Sequence, residues 1–119
     1  VGELQEILKQ IKLLGLKSAV AINPDTPIKV LQGIIADQYL IMSVRPGSQG
    51  QVFFEAAIEK VKELRQSLPH AIIEVDGGVN ETNIKSLKEA GADLLVAGSA
   101  IVKAENPKAA FETLSQLAK

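Results

Sequence analysis

The sequence predicts an α/β fold built on a parallel sheet, and three observations carry that reading. A leading helix is followed by four successive strand-helix units, the strands are continuous apolar runs rather than alternating ones, and the chain has 119 residues. Continuous apolar strands are expected where both faces of a sheet are covered. Periodicity does not separate an open doubly wound sheet from a closed (β/α) barrel. Length offers a hint, because an eight-unit barrel takes about 250 residues and four units have the size of half of one.

Each element has its own signal. Leu4, Ile7, Leu8, Ile11 and Leu14 recur at helical spacing among Glu, Gln and Lys, and Gly15 stands where a left-handed cap would end that helix. Ser18 to Ile22 is a short apolar strand, closed by Asn23-Pro24-Asp25-Thr26-Pro27, where Thr26 is expected to cap a helix running from Pro27 to about Ile35. Tyr39 to Val44 reads as a second strand, broken by Pro46-Gly47. Phe53, Ala57, Val61, Leu64 and Leu68 mark one face of a long helix that Pro69 stops. The strand Ala71 to Val75 follows and Asp76-Gly77-Gly78 ends it. A helix from about Asn80 to Ala90 stops at Gly91, and the strand Asp93 to Ala97 leads into Gly98-Ser99. Asn106-Pro107 opens the last helix. Residues 1–119 read as a single partial barrel domain, with no linker, low-complexity stretch or internal repeat beyond the architectural period.

Composition narrows the function. At 46% hydrophobic and 23% charged, the balance is that of a soluble globular domain. Thirteen basic against fourteen acidic residues leave a net charge of -1, so no global field draws the chain to nucleic acid or an anionic membrane. The absence of cysteine removes a disulfide framework, a thiolate zinc site and a cysteine nucleophile. No apolar run reaches the roughly 20 residues that span a bilayer, and the opening Val1-Gly2-Glu3-Leu4-Gln5 lacks the regions of a signal peptide, so a cytoplasmic setting is expected. A first residue other than Met suggests processing or excision from a longer chain.

In parallel α/β structures the working residues gather beyond the C-terminal ends of the strands. Four loops qualify here: 23–26, 45–51, 76–80 and 98–100. Three are glycine-rich, with Gly47 and Gly50, Gly77 and Gly78, and Gly98 before Ser99. Glycine lets backbone N–H groups approach an anion, so a phosphate could be held there without a single lysine. The plainer reading of any one pair is a tight turn. Asp76 sits at a strand mouth, where partial desolvation fits a carboxyl for proton transfer; the alternative is a turn-stabilising Asp. His70, the only histidine, lies just before a strand at the opposite mouth, so it reads as a surface residue. Met42 reads first as core packing, Arg45 as a solvated arginine, and Glu59, Lys60, Lys62 and Glu63 as a solvated helix face.

The strings AINPDTP, LIMSVRPGSQGQVF, IEVDGGVNETNI and AGADLLVAGSAI, in that order and spacing, resemble the last four strand-loop units of ribulose-phosphate 3-epimerase. The likeness spans nearly the whole chain, and Met-Ser-Val followed by Pro-Gly, with Val-Asp-Gly-Gly downstream, is its most specific part. It implies a TIM-type (β/α) barrel of which this chain is the C-terminal half. It also implies interconversion of D-ribulose 5-phosphate and D-xylulose 5-phosphate, in the pentose phosphate pathway, by proton transfer at C3. By that resemblance Asp76 is one of two catalytic aspartates and a ligand of a divalent metal, usually zinc, with iron, manganese or cobalt as other candidates. Gly77, Gly78, Gly98 and Ser99 match the phosphate-binding backbone, Gly47, Ser48, Gln49 and Gly50 the loop that closes over the substrate, and Met42 a methionine near the reacting carbons.

Two departures accompany the likeness. The loop reads Arg45-Pro46-Gly47-Ser48-Gln49-Gly50, where the family usually has Asn before Pro-Gly and Phe-Gly in place of Ser48-Gln49. The partner aspartate, two metal-binding histidines and a serine belong to the first half of the barrel, so the isolated chain is expected to be inactive unless complemented. The expected partners are a small phosphorylated sugar and either a second copy or the absent N-terminal half, with no nucleic acid and no membrane. The alternatives are another phosphate-binding barrel, such as a hexulose-phosphate or thiamin-phosphate synthase relative, and a non-catalytic half-barrel that dimerises or collapses into an open flavodoxin-like sheet and binds phosphate.

Overall fold

The computed structural model describes residues 2–44 and 52–119. The first helix, α1 (Gly2–Leu13), ends as expected at a glycine: Gly15 has φ +77° and its N–H donates to the Lys12 carbonyl at 2.9 Å. Four strands follow, β1 (Ala19–Ile22), β2 (Gln38–Met42), β3 (Ile72–Asp76) and β4 (Leu94–Val96), all parallel and in the order β1-β2-β3-β4. The intervening helices are α2 (Ala56–Ser67) and α3 (Ile84–Ala90), and α4 (Ser99–Val102) and α5 (Pro107–Leu117) come after β4.

The strand order decides what periodicity left open. A doubly wound sheet reverses direction at a switch point, so its helices cover both faces. Here every strand adds to the same side of its predecessor. Right-handed crossovers then put every connecting helix on one face, as in a sector of a (β/α) barrel.

Burial agrees. Tyr39, Ile41, Ile73 and Val75 point to the helices and are 3%, 0%, 0% and 0% exposed, packed in one core with Ala57, Val61 and Leu64 of α2, Ile84 and Leu87 of α3 and Leu114 of α5. Each large side chain buried there stabilises the fold by roughly 1.5–3 kcal/mol. The other face carries Gln38, Leu40, Met42, Glu74 and Asp76, half-buried, and Ala19, Ala21, Ile72, Leu94 and Val96, exposed. The expectation that both faces are covered is therefore corrected. The apolar runs suit a closed barrel interior, but four strands do not close one.

Two further expectations change. The helix expected from Pro27 to Ile35 is a single 3-10 turn, Ile28–Leu31, and its cap position is Pro27 rather than Thr26, with no side-chain cap bond. Ile28, Val30, Ile34 and Ile35 are β-branched, and Gly33 turns at φ +79°, all unfavourable to a longer helix. The helix expected from Asn80 begins at Ile84 instead, because side chains compete for the backbone. Asn80 Oδ1 accepts from Thr82 N–H (2.9 Å) and Thr82 Oγ1 (2.7 Å), while Asn83 Oδ1 accepts from Asn80 N–H (2.9 Å).

No described helix is long and apolar enough to cross a membrane.

Candidate functional site

The C-terminal ends of β3 and β4 open into a hollow of about 500 Å³ lined by Asp76, Gly77, Gly78, Gly98, Ser99 and Lys103 among others. Asp76 is the last residue of β3, and parallel register places it beside Met42, the last residue of β2. Both lie on the open face of the sheet, so Met42 does not pack in the helix-side core. The Asp76 carboxylate makes no hydrogen bond or ion pair with any described residue, while its main-chain carbonyl accepts from Ser43 N–H at 2.9 Å. It is held by its backbone and left open at its side chain.

The loop after Asp76 requires glycine for reasons internal to the chain. Gly77 has φ +124°, and a Cβ there would meet Val44 Cγ2 at 2.6 Å and Val44 N at 2.9 Å. Gly78 has φ +67° and its Cβ would come within 3.1 Å of Phe53 Cβ. The wholly buried Ser43 donates its hydroxyl to the Gly77 carbonyl, and Asn83, 5% exposed, donates Nδ2 to the Gly78 carbonyl at 2.9 Å. Both carbonyls are thereby tied inward. Gly98 is different: its φ is -98°, and a Cβ there would meet nothing within 4 Å. The chain itself does not demand glycine at 98. Its bare backbone leaves the hollow open beside Ser99 at the head of α4.

The structure thus brings Asp76, Gly77, Gly78, Gly98 and Ser99 together and sets Met42 next to Asp76. Gly47, Ser48, Gln49 and Gly50, expected in the closing loop, and Arg45 lie outside the described residues. His70 sits exposed at the start of β3, the opposite end from Asp76. Among the described residues no three His, Cys, Asp or Glu side chains converge. A zinc site takes three or four protein ligands, so Asp76 by itself does not make one.

Two residues of the region went unread in the sequence, and Lys60, nearby, reads there only as part of a solvated face. Asn83 clamps the loop, and the signal was the Asn-x-x-Asn spacing after Gly-Gly. Lys103 lines the hollow one helical turn beyond Ser99, a spacing that could have been noticed. Lys60 does not belong to a merely solvated face: its ammonium donates to the Thr26 carbonyl and, at 3.5 Å, to the Asn23 carbonyl, fixing the loop after β1. Desolvation lowers the Lys60 pKa from its ordinary 10.5, against the opposing pull of Asp25 and Glu63.

Residues 1–102 match the family described as ribulose-phosphate 3 epimerase. Among curated proteins, the ribulose-phosphate 3-epimerase of Aquifex aeolicus is 41% identical over 116 residues, covering 92% of this chain and 52% of that protein. The chloroplastic ribulose-5-phosphate-3-epimerase of Arabidopsis thaliana is 42% identical over 109 residues, covering 87% and 39%. The Bacillus subtilis ribulose-phosphate 3-epimerase is 37% identical over 118 residues, covering 93% and 54%. The chain spans about half the length of the curated relatives it matches. Among solved structures, a 3-hexulose-6-phosphate synthase superposes with a TM-score of 0.70 at 18% identity, over 99% of this chain and 57% of that one. Orotidine 5'-monophosphate decarboxylase of Sulfolobus solfataricus gives 0.69 at 14% identity, over 95% and 53%. Likeness at this identity shows the fold, a half-barrel of the TIM type.

Proposed function

Because this chain belongs to the ribulose-phosphate 3-epimerase family, we propose that it supplies the C-terminal half of an epimerase site that interconverts D-ribulose 5-phosphate and D-xylulose 5-phosphate in the pentose phosphate pathway. The observation that carries the reading is the pairing, in one hollow, of a carboxylate without a partner among the described residues and a glycine-lined backbone. Asp76 would move the proton at C3 from one face. Gly77, Gly78, Gly98 and Ser99 would seat the phosphate, and Met42 would pack against the sugar carbons between them.

Epimerisation removes a proton from one face and returns one to the other, which calls for two acid-base groups on opposite sides of the carbon. Among the described residues lining this hollow, Asp76 is the one carboxylate. The second group, and the further ligands of the divalent metal that the resemblance carries, would come from whatever covers the open sheet face, a second copy or a complementary N-terminal half. Asp76 would be this chain's ligand to that metal. A cytoplasmic setting belongs to the same proposal, while the plant relative's name places that protein in the chloroplast.

The test is turnover of ribulose 5-phosphate with zinc present, by this chain alone and mixed with the N-terminal half of a related epimerase. Activity on mixing that disappears with Asp76→Asn supports the proposal. Turnover by the mixture that survives Asp76→Asn would sink it.

A further inference from the structure

The phosphate reading of the hollow leaves one charged group without a role. Lys103 follows α4 directly, its N–H donating to the Ser99 carbonyl at 3.0 Å, so Ser99 and Lys103 stand one turn apart on the rim of the same hollow. Among the described residues lining that hollow it is the only Lys or Arg. Its ammonium forms no ion pair or hydrogen bond with any described residue, although Asp76 lines the same space. Lys108 and Lys119 likewise have no described partner, so what distinguishes the exposed Lys103 is its place on the hollow.

Resting on the phosphate reading above, we infer that Lys103 is a phosphate ligand that sets the preference of this site for a doubly charged phosphate monoester over a neutral sugar. The backbone of Gly77, Gly78, Gly98 and Ser99 offers partial charges only, whereas an ammonium adds a full one and donates up to three hydrogen bonds. The open space at Gly98, where no atom lies within 4 Å of a Cβ position, gives a phosphate room to reach both the backbone and the ammonium. Asp76, which lines the same hollow, disfavours an anion near itself. The two charges therefore orient a phosphorylated sugar along the hollow, phosphate toward Lys103 and carbon chain toward Asp76 and Met42.

The experiment is a titration of the full 119-residue chain with inorganic phosphate, followed by amide NMR, for the unaltered protein, Lys103→Met, Lys103→Arg and Asp76→Asn. The expected result is that phosphate shifts the amides of Gly77, Gly78, Gly98 and Ser99. Lys103→Met should weaken that binding about tenfold or more while Lys103→Arg largely retains it. Asp76→Asn, which removes a negative charge, should leave binding equal or tighter. Unchanged affinity in Lys103→Met, with its amide spectrum otherwise preserved, overturns the role of Lys103 and spares the phosphate site. Absence of phosphate-induced shifts at those four amides in the unaltered chain overturns the phosphate reading itself, and the role of Lys103 with it. Should Lys103→Met lose its native spectrum, Lys103→Gln is titrated in its place and judged by the same two outcomes.

Discussion

The two ends of the sheet treat their polar side chains in opposite ways. At the N-terminal end they are consumed. Arg65 of α2 donates to the Gly91 carbonyl from Nη2 at 2.6 Å and Nε at 3.1 Å, to Pro69 at 3.0 Å and Ala71 at 2.7 Å, and pairs with Asp93 at 2.6 Å. Asp93 in turn accepts from Ile73 N–H at 2.9 Å, which fastens the start of β4 to β3. Asp37, just before β2, does the same for β1, accepting from Ser18 N–H at 2.7 Å. At the C-terminal end, Asp76 and Lys103 face a hollow with no described side-chain partner, while the loop beneath them is tied down by Ser43 and Asn83. Groups that are satisfied inside the chain hold the fold, and groups left facing a hollow are free to meet a ligand.

Substitutions can break this contrast, and the largest effect belongs to the open end. In an assembly that turns over, Asp76→Asn should lower kcat by roughly 10²–10⁴-fold, the range of a lost acid-base group. Its unfolding free energy should move by no more than about 0.5 kcal/mol, as for a side chain without partners. Steady-state kinetics beside urea unfolding measure both, and a large stability change would erase the distinction between the ends.

Arg65→Ala should show the reverse pattern. Several carbonyls and the Asp93 carboxylate lose their donor at once, so unfolding in urea should come earlier by about 2–4 kcal/mol, with phosphate binding in the folded fraction unchanged.

Gly77→Ala probes the boundary, because this glycine lines the hollow yet is required by the chain. Its φ of +124° and the 2.6 Å approach to Val44 force a shift, expected to cost about 1–3 kcal/mol in urea unfolding. Gly98→Ala, with open space around it, should cost far less stability and instead weaken phosphate binding.

The smallest effect concerns pH. Hydrogen bonds from Ser18, backbone first, hold the Asp37 pKa below its ordinary 3.8 in the folded protein, outweighing partial desolvation. A carboxylate depressed by folding adds stability above its unfolded value, and that contribution fades as pH falls from about 3.8 through the lower folded value. Asp37→Asn should flatten this acid limb of the stability curve slightly and leave the hollow untouched. An acid limb identical in both proteins would count against the clamp.

Much of this was legible in the chain. Gly15 and Gly91 as helix stops, Asn106-Pro107 as a helix start and the positions of the four strands follow from local backbone preferences and apolar runs, whereas the expected burial of both strand faces does not hold. Asn106 Oδ1 accepts from Ala109 N–H at 3.1 Å, the capping bond its position implies. Asp76, Gly77, Gly78, Gly98 and Ser99 were legible as loop residues at strand ends, and they do share one hollow. What misled was local chemistry in competition: Asn80, Thr82 and Asn83 delayed a helix, and β-branched residues with Gly33 reduced another to one turn.

By itself, the sequence determined the α/β alternation, the parallel sheet and the strand-end glycines, because each depends on residues close together along the chain. Residue patterns alone left a doubly wound sheet and a barrel sector open; the family resemblance pointed to the barrel, and the order in which distant strands pair bears that out. Only the tertiary structure decided that one sheet face stays open, and that Lys103 stands on the rim beside Asp76's hollow. Those facts depend on how the four parallel strands pair and on the nearness of the loops after β3 and β4, which the Ser99 to Lys103 spacing alone does not encode.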